Sequence, residues 1–204
     1  MHCKEFQRKR AGTDRGCCRC LSAEELLEHS RVGVHHHVIC VGTGRHDIDS
    51  AFEAAQLGTK STDSARAQVT AIRAVLGDTK RKVALLTPYT DGVHAANVEM
   101  LASMGFDVVG SASMGLIASE FTSQVSRTTI LEYAAELAAV AADADVLVIG
   151  CTAFRVTIPG FIDEIERTDG KPVITSTQAF FWHMLRQSGV MDQIHGYGHL
   201  FRMF

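Results

Sequence analysis

Apolar residues in this chain fall into two kinds of run. Short bursts at Val38-Ile-Cys-Val41, Lys82 to Leu86, Phe106 to Val109, Val146 to Ile149 and Lys171-Pro-Val-Ile174 end in turns rich in Gly, Thr, Pro or Ser. Bursts of that length and composition predict strands buried on both faces. Between them lie segments with helical spacing. Ser22-Ala-Glu-Glu25 has the form of a capping box opening a short helix to about His29. Ile48 to Gln56 predicts a second helix, and Asp63 to Leu76 a third with Val69, Ile72, Val75 and Leu76 on its apolar side. Further helices are expected over Val93 to Met104, stopping at Gly105, over Thr128 to Ala142, from near Pro159, and over Gln178 to Gln187. Strands separated by helices of this length imply βαβ units and a parallel sheet, so the fold class is α/β. No repeat at a solenoid period is visible. Strand, glycine turn and helix do recur at Val38–Gln56 and Val146–Arg167, which suggests an internal pseudo-duplication.

Composition narrows the function classes. The chain has 204 residues, enough for one large domain or two small ones, and 46% are hydrophobic, enough for a real core. The net charge of −3 implies no general polyanion-binding surface, so no nucleic-acid partner is expected. No apolar run reaches the ~18 residues of a membrane span, and residues 1 to 34 lack the apolar segment of a secretory signal. The six cysteines are Cys3, Cys17, Cys18, Cys20, Cys40 and Cys151, four of them within the first twenty residues. A disulfide framework would spread more evenly, so the thiols are read as reduced and the protein as cytoplasmic. Residues 1 to 21 are basic, Cys-rich and aperiodic, and read as an irregular leader; Glu5 and Asp14 argue against a targeting role. The cysteine spacing there fits no closed pair of zinc knuckles. His35-His36-His37 alternate faces on a strand and cannot chelate from one side. No metal is expected.

Chemistry concentrates at the ends of the strands. Ligands bind beyond the carboxyl ends of strands in open α/β sheets, and Gly150-Cys151-Thr152 stands at such an end. Nearby backbone N–H groups can bind an anion and favour a thiolate. A buried structural cysteine is the competing reading. Gly42-Thr43-Gly44, Thr87-Pro88-Tyr89, Cys151-Thr152-Ala153 and Thr175-Ser176-Thr177 would together make a pocket rich in neutral donors. Such a pocket suits a carboxylate, or the enediolate left when the adjacent carbon loses a proton or CO₂. Cys151 would deliver a proton to that carbon. Gly42-Thr43-Gly44 is too short for a dinucleotide fingerprint and no P-loop lysine follows, so no cofactor is expected. The glycines could simply turn the chain and Tyr89 could be an ordinary half-buried aromatic. Cys40 reads as core, and His183, beside Trp182, as a packing residue.

Taken in order, these segments resemble the aspartate/glutamate racemase superfamily, on its maleate isomerase and arylmalonate decarboxylase branch. The resemblance is carried by Val83-Ala-Leu-Leu-Thr-Pro-Tyr-Thr-Asp91, Gly150-Cys-Thr-Ala-Phe-Arg155, Lys171-Pro-Val-Ile-Thr-Ser176 with Trp182-His183, and Gly196-Tyr-Gly-His-Leu-Phe201, and covers about residues 38 to 201. It implies two similar α/β lobes with a cofactor-independent site between them. It makes Cys151 the second-lobe cysteine, the proton donor in the decarboxylases. It also implies that Thr152 and Ala153 offer backbone N–H groups to a substrate carboxylate, that Tyr89 binds that carboxylate, and that Thr43 and Gly44 do so from the first lobe.

Two departures shape the expectation. Gly42 occupies the first-lobe cysteine position. That argues against a two-base racemase or a maleate isomerase and matches the one-thiol decarboxylase pattern; Cys40 could substitute only with a register slip of two residues. The family opens with a strand and a pocket-lining loop, and residues 1 to 34 show nothing like them, so the first lobe reads as incomplete. The expected division is a leader over residues 1–21, a partial first lobe over 22–76 to which 177–204 return, and a second lobe over 77–176. The leading function is a cofactor-independent carbon-acid enzyme acting on small mono- or dicarboxylates, in the manner of arylmalonate decarboxylase. Cis–trans isomerisation of maleate or amino-acid racemisation is the alternative enzyme reading, and a degenerate carboxylate-binding paralogue the non-catalytic one. The sequence leaves self-association into a homo-oligomer open.

Overall fold

The computed structural model describes residues 62–117 and 119–204. The predicted strand Val38–Val41, Gly42, Thr43, Gly44, Cys40, the histidine run and the leader cysteines lie outside these residues.

The described residues fold around a four-stranded parallel sheet. Its strands are β1 (Lys82–Thr87), β2 (Asp107–Ser113), β3 (Val146–Ile149) and β4 (Val173–Thr175), in the spatial order β2-β1-β3-β4. The helices are α1 (Ser64–Leu76), α2 (Asp91–Ser103), α3 (Ser119–Thr122), α4 (Arg127–Val140), α5 (Phe161–Asp169), α6 (Ser176–Gln187) and α7 (Gly198–Met203). From β1 the chain moves first to β2 on one side, then to β3 and β4 on the other. Strand order therefore reverses between β1 and β3, which places a crevice at the carboxyl ends of those two strands.

Both sheet faces are covered, which is why the strands read as continuous apolar bursts rather than alternating ones. Val83, Leu85, Val146, Val148 and Ile174 point to one face, where they join Ile72 and Leu76 of α1, Leu101 of α2, Trp182 of α6 and Leu200 and Phe201 of α7. Ala84, Leu86, Leu147, Ile149 and Val173 point to the other, against Ile130, Ala134 and Leu137 of α4 and Phe161, Ile162 and Ile165 of α5. Helices α1 and α6 thus share one core with the sheet.

Local sequence sets the helix starts. Asp63 caps α1, its carboxylate accepting from the N–H groups of Ala65 and Arg66 at 2.9 Å. Thr175 and Gln178 form a reciprocal capping box that opens α6 directly from the last residue of β4. With no loop between strand and helix, α6 begins at Ser176, two residues before the expected Gln178. Helix α2 runs from Asp91, also two residues before expectation, and ends at Ser103.

Strand β2 extends to Ser113, where the sequence suggested a stop at Val109. Its second half, Gly110-Ser-Ala-Ser113, is small and only partly buried at this side of the sheet, so it leaves no apolar signature. A side chain at Gly110 would collide with Ala141, a β-carbon there lying 2.6 Å from Ala141 Cβ. Strand β4 starts at Val173, later than the expected Lys171; Pro172 has no N–H to give to a ladder. The short helices α3 and α7 were not anticipated.

Candidate active site

The sheet register brings three strand ends level. Leu86 of β1 pairs with Ile149 of β3, and Ile149 with Thr175 of β4. The segments at and beyond these ends, Thr87-Pro88-Tyr89, Gly150-Cys151-Thr152 and the first residues of α6, Ser176-Thr177, therefore stand side by side at the crevice. Cys151 is in the middle, half-buried against the α4–α5 core.

Cys151 is the single non-glycine with positive φ among the described residues, at 80°. A left-handed backbone on a residue with a β-carbon costs roughly 1–3 kcal/mol and persists only where the surroundings over-determine it. Those surroundings are identifiable. Before the cysteine, the Gly150 N–H donates to Leu86 O at 2.8 Å. Gly150 also lies so close to Thr87 that a β-carbon there would sit 3.1 Å from Thr87 Cγ2. The Gln68 amide, buried on α1, reaches Ile149 O at 3.4 Å and Ser176 Oγ at 3.2 Å. After the cysteine, Thr177 Oγ1 donates to Thr152 O at 3.1 Å. The Ala153 N–H points back at the cysteine, 3.4 Å from Sγ. Thr152 is exposed beside it.

The Tyr89 turn is held from the β2 side. Met114 N–H donates to Thr87 O at 3.0 Å, Leu116 N–H to Pro88 O at 2.8 Å and Gly115 N–H to Tyr89 O at 3.0 Å. Ser113 Oγ also donates to Tyr89 O. Tyr89 is half-buried. Thr87 is fully buried, and its Oγ1 shares a 2.8 Å hydrogen bond with Nδ1 of His94 on α2. Burial holds the His94 pKa below its ordinary value, and Asp91 only partly opposes this.

Of the residues expected at the site, Cys151, Thr152, Ala153 and Tyr89 are gathered on adjacent strand ends, while Gly42, Thr43 and Gly44 lie outside the described residues. Sequence reasoning assigned no role to His94 or Gln68. Gln68 was detectable as a polar residue one turn before Ile72 on the apolar side of its helix; His94 carried only the weaker sign of a histidine in the first turn after a strand-end loop. His183 is a packing residue of the α1–α6 contact, with Nδ1 2.7 Å from Thr62 Oγ1 and its ring stacked on Trp182. Among the described residues no three His, Cys, Asp or Glu side chains are grouped to hold a metal ion, and no helix is long and apolar enough to cross a membrane.

The arylmalonate decarboxylase family model matches residues 49–201. The chain belongs to the arylmalonate decarboxylase family. Arylmalonate decarboxylase from Bordetella bronchiseptica is 32% identical over 122 residues, which are 59% of this chain and 50% of that protein. The chain spans about half the length of this curated relative in that match. A crystal structure of arylmalonate decarboxylase superposes with a TM-score of 0.70 at 27% identity, covering 88% of this chain and 82% of the other. The maleate isomerase Iso from Pseudomonas putida S16 shares the fold, with a TM-score of 0.73 at 21% identity over 89% of this chain and 75% of its own. The α/β fold and the branch suggested by the strand-end motifs are thus those of the family.

Proposed function

We propose that this protein is a cofactor-independent decarboxylase of substituted malonates, with Cys151 as the proton donor. The observation that carries the reading is the placement of Cys151. In a chain of the arylmalonate decarboxylase family, its thiol sits at the reversal of strand order, on a backbone held left-handed, beside the Tyr89 turn.

In this mechanism one substrate carboxylate is bound by Tyr89, by Thr43 and Gly44, and by backbone N–H groups of the Cys151–Ala153 turn. The bond from the α-carbon to the other carboxylate breaks, CO₂ leaves, and the electron pair spreads onto the retained carboxylate as an enediolate. Neutral donors stabilise that charge most where it develops. Cys151 then transfers its S–H proton to the α-carbon, and the thiolate regains a proton from water. Gly42 leaves one thiol for this task, which favours decarboxylation over two-thiol isomerisation or racemisation. In this reading residues 22–76 with 177–204 supply the first-lobe side of the pocket and residues 77–176 the second-lobe side. The clustering of cysteines near the amino terminus supports a reducing, cytoplasmic setting.

The test is proton NMR in D₂O with phenylmalonate, maleate, aspartate, glutamate and a hydantoin. The expected result is loss of phenylmalonate with one deuterium gained at the α-carbon, and no turnover by Cys151→Ala. Conversion of maleate, or α-exchange of an amino acid, would refute the one-thiol assignment. A folded protein silent toward the whole panel would favour a carboxylate-binding, non-catalytic member.

A further inference from the structure

His94 stands in the first turn of α2, seven residues after Thr87, with Nδ1 2.8 Å from Thr87 Oγ1. Thr87 carries its hydroxyl and its methyl on the same β-carbon, so a bond that fixes one fixes the other. The methyl so fixed is the group that meets Gly150. Gly150 is simultaneously tied to β1 through Leu86 O. The peptide before Cys151 is therefore seated on Thr87, and the orientation of Thr87 is set by His94. Because the Cys151 backbone is left-handed, the sulfur's position follows from how its two flanking peptides are held. A displacement on the order of 1 Å at a reacting atom can cost about a hundredfold in rate.

We propose that His94 is a positioning residue for Cys151, acting through Thr87 and the Gly150 backbone to set where the sulfur meets the substrate carbon. The catalytic half of this statement rests on the decarboxylase reading; the geometric half does not.

The test uses the full chain with His94→Leu, His94→Asn and Thr87→Ser, each checked for folding by circular dichroism. Three quantities are measured: kcat and KM for phenylmalonate, and the rate of iodoacetamide alkylation at Cys151, followed on its own peptide by mass spectrometry. His94→Leu is expected to lower kcat about tenfold or more while KM stays within about twofold, and to change the alkylation rate. His94→Asn, which returns a hydrogen-bonding atom near the Nδ1 position, should recover most of both. Thr87→Ser keeps the hydroxyl and loses the methyl, and should lower kcat on its own. Folded His94→Leu with unchanged kcat and alkylation would overturn the proposal, as would equal impairment of His94→Leu and His94→Asn with alkylation unchanged. If His94→Leu does not fold, unchanged kcat and alkylation in Thr87→Ser overturns it. If the parent protein leaves phenylmalonate intact, an alkylation change in His94→Leu that His94→Asn reverses would support positioning while the decarboxylase reading falls.

Discussion

Gly150 rests against the γ-methyl of Thr87, close enough that a methyl group added at position 150 would press on it. A β-carbon at position 150 would lie 3.1 Å from Thr87 Cγ2, and Thr87 cannot turn away without breaking its bond to His94. Gly150→Ala therefore requires Thr87 or the backbone that carries Cys151 to give by a few tenths of an ångström, and the His94 bond resists movement of Thr87. If Cys151 is the proton donor proposed above, the expected outcome is a folded protein with kcat reduced about ten- to hundredfold, since the sulfur moves with its peptide. Steady-state kinetics beside a thermal melt checks this, and full activity in the variant would show that the contact is slack.

The left-handed backbone at Cys151 separates function from stability at one position. Cys151→Ala removes the thiol and keeps the β-carbon that dislikes φ of 80°. Cys151→Gly removes both. Both variants should be inactive, yet Cys151→Gly should be more stable than Cys151→Ala by about 1 kcal/mol, because glycine occupies this region without steric cost. Urea midpoints of the two variants provide the comparison. Equal midpoints would mean that the surrounding bonds, not the residue type, absorb the strain.

The parts of this architecture that the sequence made legible are those encoded by apolar density. Val146–Ile149 is buried on both faces and was read to the residue, as was the end of the helix at Leu76 ahead of Gly77. The position of Cys151, at the end of an apolar strand where ligands bind in this fold class, is legible for the same reason. What escaped was encoded by contact rather than composition. In the second half of β2, Gly110 has no room for a side chain because Ala141 of the neighbouring chain segment lies against it, a fact no local window contains. The left-handed conformation of Cys151 had no sequence sign, since that region usually announces itself by Gly or Asn. His94 and Gln68 bond to Thr87, Ile149 and Ser176 from helices distant in sequence from those partners or set apart from them by a turn, a relationship that exists only in the assembled fold.

Two histidines make stability depend on pH. Burial lowers the pKa of His94, with Asp91 opposing. Burial, then the nearby Arg66 charge, lowers that of His183, with Asp63 opposing. Both folded values lie below 6.5, the ordinary histidine value, so between that value and the folded ones the unfolded chain binds more protons. Stability then rises with pH across the window and is lost as pH falls from about 6.5 through the folded values. Asp169 works the other way at lower pH: burial raises its pKa above 3.8, with Lys171 opposing, so its protonation favours the folded chain. Denaturant midpoints should therefore drop between neutral pH and pH of about 5, and a His94→Asn/His183→Gln double variant should flatten that drop. A midpoint that is level in the parent protein across this window would contradict the assignment.

Helix α7 is anchored to α5 chiefly through the Glu166 carboxylate. Glu166 on α5 accepts from the His199 N–H at 2.8 and 2.9 Å through its two oxygens, from the Val173 N–H at 3.1 Å, and from Arg202 at 3.1 Å. Its side chain is 8% exposed, so these partners replace nearly all of its water. Arg202 also pairs with Asp163 on the same helix. Gly198, at the start of α7, has φ of 80°, and a β-carbon there would sit 2.5 Å from Ile162 Cγ2 and 3.0 Å from Glu166 Oε1. Glu166→Ala leaves the Val173 and His199 N–H groups without their acceptor and Arg202 with Asp163 alone, and should destabilise the protein by about 3 kcal/mol. Gly198→Ala combines a left-handed β-carbon with a collision at Ile162 and should cost at least about 2 kcal/mol. Because both substitutions loosen α7 from the face that holds Trp182 and Gln178, amide exchange at Leu200 and Phe201 should accelerate more than exchange in β3. Uniform acceleration across the sheet would instead mean that α7 and the sheet unfold as one cooperative unit.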